Sequence, residues 1–326
     1  STNIKASNVV LIYDDKEIQL KNISTNFSIR AFLKKEFGIK NASIESKDNN
    51  LNDVINFVRI YKNSAQLIIF EKMIKSGLIN TKIELNFDKD GKIKENYKIK
   101  GLIKSAEIRL LNKDIISNID LNFDFQNKLY LIKNGNIKYK GIKFSSNEIK
   151  IVDQEKHFLI KGDISNKTSN LDSEKLSIFF KQSLENLNFK NAKLSSDNNF
   201  SFKINKKLKI SDFFVKSKIK LDKLNYKIEQ AKLKKYFPSY NGAVDFENHE
   251  ITLLILKNQF SAQGEGSYLI DTQPEKINYN ITSKDGNLKF KSKININKNP
   301  LNIEFLNYLK KENKDSTLFI DGEHKK

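Results

Sequence analysis

The chain has no cysteine in 326 residues, so neither a disulfide framework nor a thiolate metal site is open to it. Proline occurs only three times, and none of the three falls inside an alternating apolar run, where it would remove a ladder hydrogen bond. Arginine is sparse, represented by Arg30, Arg59 and Arg109, although it is the residue favoured for bidentate contacts with phosphates and base edges. Long apolar runs are missing as well. Leu67-Ile68-Ile69-Phe70 and Leu253-Leu254-Ile255-Leu256 fall far short of the roughly 20 residues of a bilayer-spanning helix. No signal peptide or anchor is visible, and a chain that begins with Ser1 is compatible with a processed product or a piece of a longer, anchored protein.

What is present is basic and only modestly apolar. Lysine and arginine number 58 against 39 acidic residues, a formal charge of +19, with 38% apolar and 30% charged residues. Ordinary globular domains hold roughly 45–50% apolar residues, so the core is thin. One face of a sheet, which asks for every second residue, fits that supply. The lysines alternate with apolar residues, as in Lys138-Tyr139-Lys140 and Lys289-Phe290-Lys291, instead of gathering in a basic arm. Together with the scarcity of arginine, this spacing reads against nucleic acid and makes lysine the default solvent-facing residue.

Alternation with a period of two dominates the chain. It appears in Ile83, Leu85, Phe87; in Tyr97, Ile99; in Ile119, Leu121, Phe123, Phe125; and in Phe158, Ile160, Ile164. It returns in Phe200, Phe202, Ile204; in Ile219, Leu221; in Ile251, Leu253, Ile255; in Ile277, Tyr279, Ile281; and in Ile294, Ile296. Asp90-Gly91, Asn134-Gly135 and Asp285-Gly286 carry the residues that tight hairpins prefer. Glycines recur inside the alternating runs, at Gly101, Gly162, Gly264, Gly266 and Gly322, where a backbone bend, a bulge or a close approach is expected.

Helical spacing links Leu51, Val54, Ile55, Val58 and Tyr61, and an apolar cluster through Met73 and Ile74 runs toward a C-terminal stop at Gly77. Asp172 or Ser173 is placed to cap a helix carrying Leu176, Phe179, Phe180, Leu184 and Leu187. Weaker helical patterns run from Ala231 to Phe237 and from Ile303 to Leu309. The segments expected are 1–78, N-terminal strands with a helical part; 79–170, a sheet repeat; 171–228, a helix with strands; and 229–326, a second sheet repeat with a closing helix and strand. The fold expected is mainly β with a few short helices: an elongated, curled antiparallel β-sheet of degenerate repeats with an open hydrophobic groove.

Catalytic constellations do not stand out. His157, His249 and His324 lack metal-ligand spacing, and neither a nucleophile elbow nor a phosphate loop is found. Asp88-Lys89-Asp90-Gly91 resembles the start of a calcium loop, but the twelfth position is Ile99 where a glutamate is required, so it reads as a turn. Paired carboxylates such as Asp14 with Asp15, or Asp120 with Asp124, sit on polar faces or in turns. The expectation is a protein that is not an enzyme and uses no cofactor. The apolar face would either meet a second sheet, as in a sandwich, or line a trough suited to acyl chains.

From Gly77 to Lys167 the order of elements resembles the AsmA-like family of YhdP- and TamB-type proteins, through Lys82-to-Gly91, Tyr97-to-Gly101, Ala106-Glu107-Ile108, Ile119-to-Phe125 and Phe158-to-Ile164. A looser likeness runs from Tyr236-Phe237-Pro238 through Ile251-to-Leu256 and Gly264-Glu265-Gly266 to Leu301. The resemblance implies a periplasmic part of an inner-membrane-anchored protein that conducts phospholipid between inner and outer membranes or supports outer-membrane assembly. Its partners would be phospholipid acyl chains, both membrane surfaces and further envelope proteins. The groove lining it implies is Ile83, Leu85, Phe87, Ile119, Leu121, Phe123, Phe125, Phe158 and Ile160, with Ile251, Leu253, Ile255, Tyr279 and Ile281. The competing readings are an outer-membrane β-barrel, whose strands alternate in the same way, and a β-rich structural or adhesive surface protein.

Overall fold

The structure is a computed structural model that describes residues 2–13, 15–61, 65–110, 113–172, 175, 189–207, 209–227, 233–270 and 273–324. Strand accounts for 70% of it and helix for 10%, so the mainly β expectation holds, and every strand pairing given below is antiparallel. Two compact units divide the chain: Ser1–Asp163 with Ile204–Lys209, and Ile164–Lys203 with Ile210–Lys326.

The first unit contains β1 (Thr2–Tyr13), β2 (Lys16–Phe27), α1 (Ile29–Leu33), β3 (Ile39–Ser46), β4 (Asn49–Asn50), α2 (Leu51–Tyr61) and α3 (Ala65–Met73). It continues through β5 (Ile74–Asn86), β6 (Lys98–Arg109), β7 (Ile115–Gln126), β8 (Leu129–Tyr139), β9 (Ile142–Asp153) and the start of β10 (His157–Asp172). β1 pairs with β2, β2 with β3, β3 and β4 with β5, and β5 through β9 pair in chain order. Register carries one apolar row across seven strands: Ile23, Ile44, Ile83, Ile99, Phe125, Tyr130 and Ile151. Directly opposed side chains share a face, so this row is one dry stripe.

Bulges interrupt the alternation in three neighbouring strands. Ser105 in β6, Asn118 in β7 and Asn134 in β8 have φ of 48°, 51° and 51°, and the register shifts beside each of them. An inserted residue moves the following side chains to the other parity while keeping them on the same face. The core shows the result. Leu51, Ile74, Ile79, Ala106, Ile119 and Phe123 are buried together, with Ile103, Ile108, Ile116 and Ile137 packed against them from both sides of the bulges. Asp120 accepts the Ser105 N–H at 2.9 Å, so this carboxylate serves the bulge.

α2 covers that end of the sheet. Leu51, Val54 and Ile55, at the expected helical spacing, face the cluster, and Asn50 Oδ1 accepts the Asn52 N–H at the helix start. Arg59 of α2 pairs with Glu71 of α3. The expected stop at Gly77 is not one. The helix ends at Met73, and Gly77 lies inside β5 at φ 141°, where a Cβ would come 2.6 Å from that of Ala106. Asn134-Gly135 is likewise no hairpin, because the positive φ there forms the β8 bulge. Asp285-Gly286 does make a two-residue hairpin with both φ positive, and so does Lys140-Gly141.

The second unit contains the end of β10, then β11 (Phe189–Asn205), β12 (Ile210–Tyr226), β13 (Val244–Leu256), β14 (Gln259–Leu269), β15 (Glu275–Lys284) and β16 (Asn287–Asn295). It closes with β17 (Leu301–Ile303), β18 (Tyr308–Lys310) and β19 (Thr317–His324). β12 through β16 pair in order and β19 adds beside β16. The expected helix over 303–309 is instead the β17–β18 hairpin with a 3-10 turn at Glu304–Leu306. Asn307, left-handed at φ 50°, ends that turn before a helix can propagate. The helix expected after Asp172 lies outside the described residues apart from Lys175. Of the 231–237 pattern, only Leu233 and Lys234 are helical among the described residues.

A buried polar knot anchors the segment before β17. Glu275 accepts the N–H groups of Asn297, Lys298 and Asn299 at 2.7–3.0 Å. The ammonium of Lys310 donates to the carbonyls of Asn297, Asn299 and Lys311 at 2.7–3.2 Å. Both side chains are buried, so removing one strands several polar groups at once. The Glu275→Ala variant is expected to lose about 3 kcal/mol in urea unfolding, with Glu275→Gln losing less; equal stability of all three proteins would show the knot to be inert.

Candidate functional site

The expected lining residues fall on one face within each unit. In the first, Ile83 and Leu85 lie on β5, Phe87 just beyond it, Ile119, Leu121, Phe123 and Phe125 on β7, and Phe158 and Ile160 on β10. Ile119 and Phe123 are fully buried in the cluster under α2, so they form floor and not free surface. The Phe87 ring stacks obliquely with Phe37 at 5.4 Å. The remaining side chains are half-buried.

In the second unit Ile251, Leu253 and Ile255 lie on β13, and Tyr279 and Ile281 on β15. Register places them in three parallel rows: Val215, Ile255, Phe260, Ser283 and Leu288; Ser217, Leu253, Ala262, Ile281, Phe290 and Gly322; and Ile219, Ile251, Gly264, Tyr279, Ser292 and Ile320. Sequence reasoning found two of these strands as lining and missed Phe260, Phe290 and Ile320. The signal for Phe290 was present in Lys289-Phe290-Lys291, where the apolar residue sits between two lysines. The face is sealed at one end by Tyr240, Val244, Tyr268 and Ile270, with Ile277 and Ile294 packed against them. Toward the other end it opens, with Phe260, Phe290 and Ile320 exposed to solvent.

Four of the strand glycines each face an aromatic ring, whereas Gly162 lies against Ile149 and the Glu148 backbone. A Cβ on Gly101 would meet the Phe123 ring at 2.6 Å, on Gly264 the Tyr279 ring at 2.5 Å, on Gly266 the His249 ring at 2.3 Å and on Gly322 the Phe290 ring at 2.3 Å. Each ring lies over the gap left by the missing side chain across the ladder, an arrangement that protects an otherwise weak strand position. Replacing Gly264 by Ala should destabilise by about 1–3 kcal/mol, and in a Tyr279→Ala background that loss should shrink. Equal losses in both backgrounds would show that the ring is not what the glycine accommodates.

His249 belongs to the same layer. A bulge at Asn248, with φ 55°, turns it onto the apolar face, where it is 2% exposed. Its Nε2 lies 2.9 Å from the Ser267 carbonyl oxygen and its Nδ1 3.3 Å from the Tyr279 hydroxyl. With the carbonyl as acceptor, Nε2–H donates and Nδ1 accepts from the tyrosine. Burial pulls the imidazole below its usual range despite the Ser267 hydrogen bond, and burial pushes the Tyr279 hydroxyl up to about 12. The pair is therefore neutral and satisfied, and suits an apolar surface. In the unfolded chain the imidazole titrates near 6.5. The stability that burying it neutral confers is whole above about pH 6.5 and is lost as pH falls toward the lower folded pKa. Thermal midpoints measured from about pH 7 to 5 should fall for the native protein and fall less steeply for His249→Gln; parallel slopes would remove His249 from the titration.

The opposite face is charged. Lys100 pairs with Asp124, Lys133 with Glu148, Lys223 with Glu247, Lys289 with Glu323 and Lys291 with Asp321 across adjacent strands. Such exposed pairs contribute about 0–1 kcal/mol each. A cavity of about 830 Å³ in the second unit is lined by the apolar-face row that holds Ile219, Ile251, Tyr279 and Ile320 and by the rows on either side of it, which bring Lys218, Glu250, Glu265 and Lys291. In the β5–β6 loop Asp88 Oδ1 accepts the N–H groups of Asp90 and Lys92, which holds its carboxyl below the usual range; the turn reading of this segment holds. Among the described residues no group of three or more His, Asp or Glu is placed to hold a metal ion, and no helix is long and apolar enough to cross a membrane. Comparison with protein-family models, curated proteins and solved structures finds no match to this chain.

Proposed function

We propose that the apolar face of these sheets takes up phospholipid acyl chains, and that the chain is a lipid-conducting part of a cell envelope, as its resemblance to the AsmA-like family implies. The observation that carries this reading is the open end of the apolar face in the second unit. There Ile255, Phe260, Leu253, Ile281 and Phe290 lie in adjacent rows, and two of the five are exposed. A face closed by a second sheet would be buried along its whole length. Contiguous exposed apolar surface marks a binding site more often than decoration. Its chemistry is that of hydrocarbon: branched aliphatic side chains, rings over glycines, and a histidine held neutral. The function is binding and transfer without a chemical step, performed in the periplasm between inner and outer membranes or in support of outer-membrane assembly.

A fluorescent fatty acid supplies the test. The protein should enhance its emission saturably, and Phe290→Ser with Ile255→Ser should weaken binding by about tenfold or more, as loss of two apolar contact surfaces implies. Lys291→Ser, on the opposite face, should leave binding unchanged. Probe binding that is unaffected by the apolar pair, or absent from the native protein, would contradict the proposal.

A further inference from the structure

One end of the first unit's sheet combines exposed apolar side chains with positive charge. The connection between β2 and β3 carries α1, and Ile29, Phe32 and Leu33 there are 56%, 64% and 77% exposed. In the connection between β5 and β6, Ile93 is 55% exposed. The two connections are joined, since the Phe37 N–H donates to the Lys89 carbonyl at 2.9 Å and the Phe37 ring rests on Gly91 and Phe87. The first is also closed on itself by the Ser28 N–H to Gly38 carbonyl bond at 2.8 Å, and Ser28 Oγ accepts the Ala31 N–H. The apolar side chains are thus displayed by a tied scaffold.

Over residues 28–40 and 88–94 seven basic side chains stand against three acidic ones. Arg30, Lys34 and Lys35 lie within five residues of Phe32 and are exposed. We infer that this end docks on an anionic phospholipid surface, with Phe32, Leu33 and Ile29 entering the headgroup boundary and the lysines meeting lipid phosphates. Charge decides the occupant, because a net-positive rim repels a second copy of a chain carrying +19 and attracts an anionic bilayer. Area agrees. A few side chains on a loop end cannot supply the roughly 1,200–2,000 Å² of a stable protein interface, whereas insertion into lipid needs only those side chains. The inference stands on this end alone and does not need acyl chains to occupy the sheet.

The chain has no tryptophan, so the F32W variant carries a single reporter. Its emission should shift to the blue on addition of mixed phosphatidylcholine and phosphatidylglycerol vesicles and stay unchanged with phosphatidylcholine alone. Native protein should float with the anionic vesicles, and Phe32→Ser with Leu33→Ser should weaken that binding by about tenfold or more. The same pair should keep its thermal midpoint, since both side chains are exposed, and keep its fluorescent fatty acid binding, which separates this inference from the acyl-chain proposal. Native protein that fails to float, or a double variant that floats equally well, would overturn it. So would a native dimer in sedimentation that the double variant dissolves, which would assign the apolar end to self-association.

Discussion

A β-strand gives every second side chain to each face, and the rest of the structure depends on how this chain keeps that division over strands of up to 17 residues. Strands this long do not hold strict alternation throughout. An extra residue at Ser105, Asn118, Asn134 or Asn248, each with positive φ, resets the parity and keeps the apolar residues on the same side. Without these insertions Ala106 and Ile108 would turn to water while Ile99 and Ile103 stayed dry. The bulges therefore make long strands compatible with one dry face within each unit, and the three asparagines and the serine that form them belong to the core's design as much as the isoleucines do.

The other economy is in volume. A chain with 38% apolar residues cannot fill two thick layers, and among the described residues each unit gathers part of its buried side chains into a cluster. One lies beneath α2 around Leu51 and Phe123, the other around Tyr240 and Tyr268. Away from its cluster the apolar face of each unit is largely half-buried, and Gly101, Gly264, Gly266 and Gly322 are roofed by rings from the neighbouring strand. On the other face lysine and carboxylate pairs line the ladder. They give solubility and register more than stability.

Much of this was legible in the sequence, because apolar alternation is written directly in segments such as Ile119-to-Phe125 and Ile251-to-Ile255. The face of α2 was equally plain from Leu51, Val54 and Ile55. What was hidden depends on long-range pairing. Asn134-Gly135 carries the same left-handed preference in a bulge as in a hairpin, and only the partners of β8 decide between them. Gly77 looks like a helix stop until Ala106 is brought against it. The 303–309 pattern has helical spacing, but burial of Lys310 among the carbonyls of Asn297 and Asn299 favours a hairpin. The candidate surface was recognised on β7 and β13, and its extent was not, because Phe260, Phe290 and Ile320 join it only through cross-strand register.

The central claim is that the half-buried apolar face is a surface for hydrocarbon. Native mass spectrometry of the chain purified from a bacterial host without detergent, followed by lipid extraction, tests it most directly. The account predicts protein that carries co-purifying phospholipid, released when the chain unfolds. A well-folded protein that is free of lipid as isolated, and remains so after incubation with phospholipid vesicles, would contradict it.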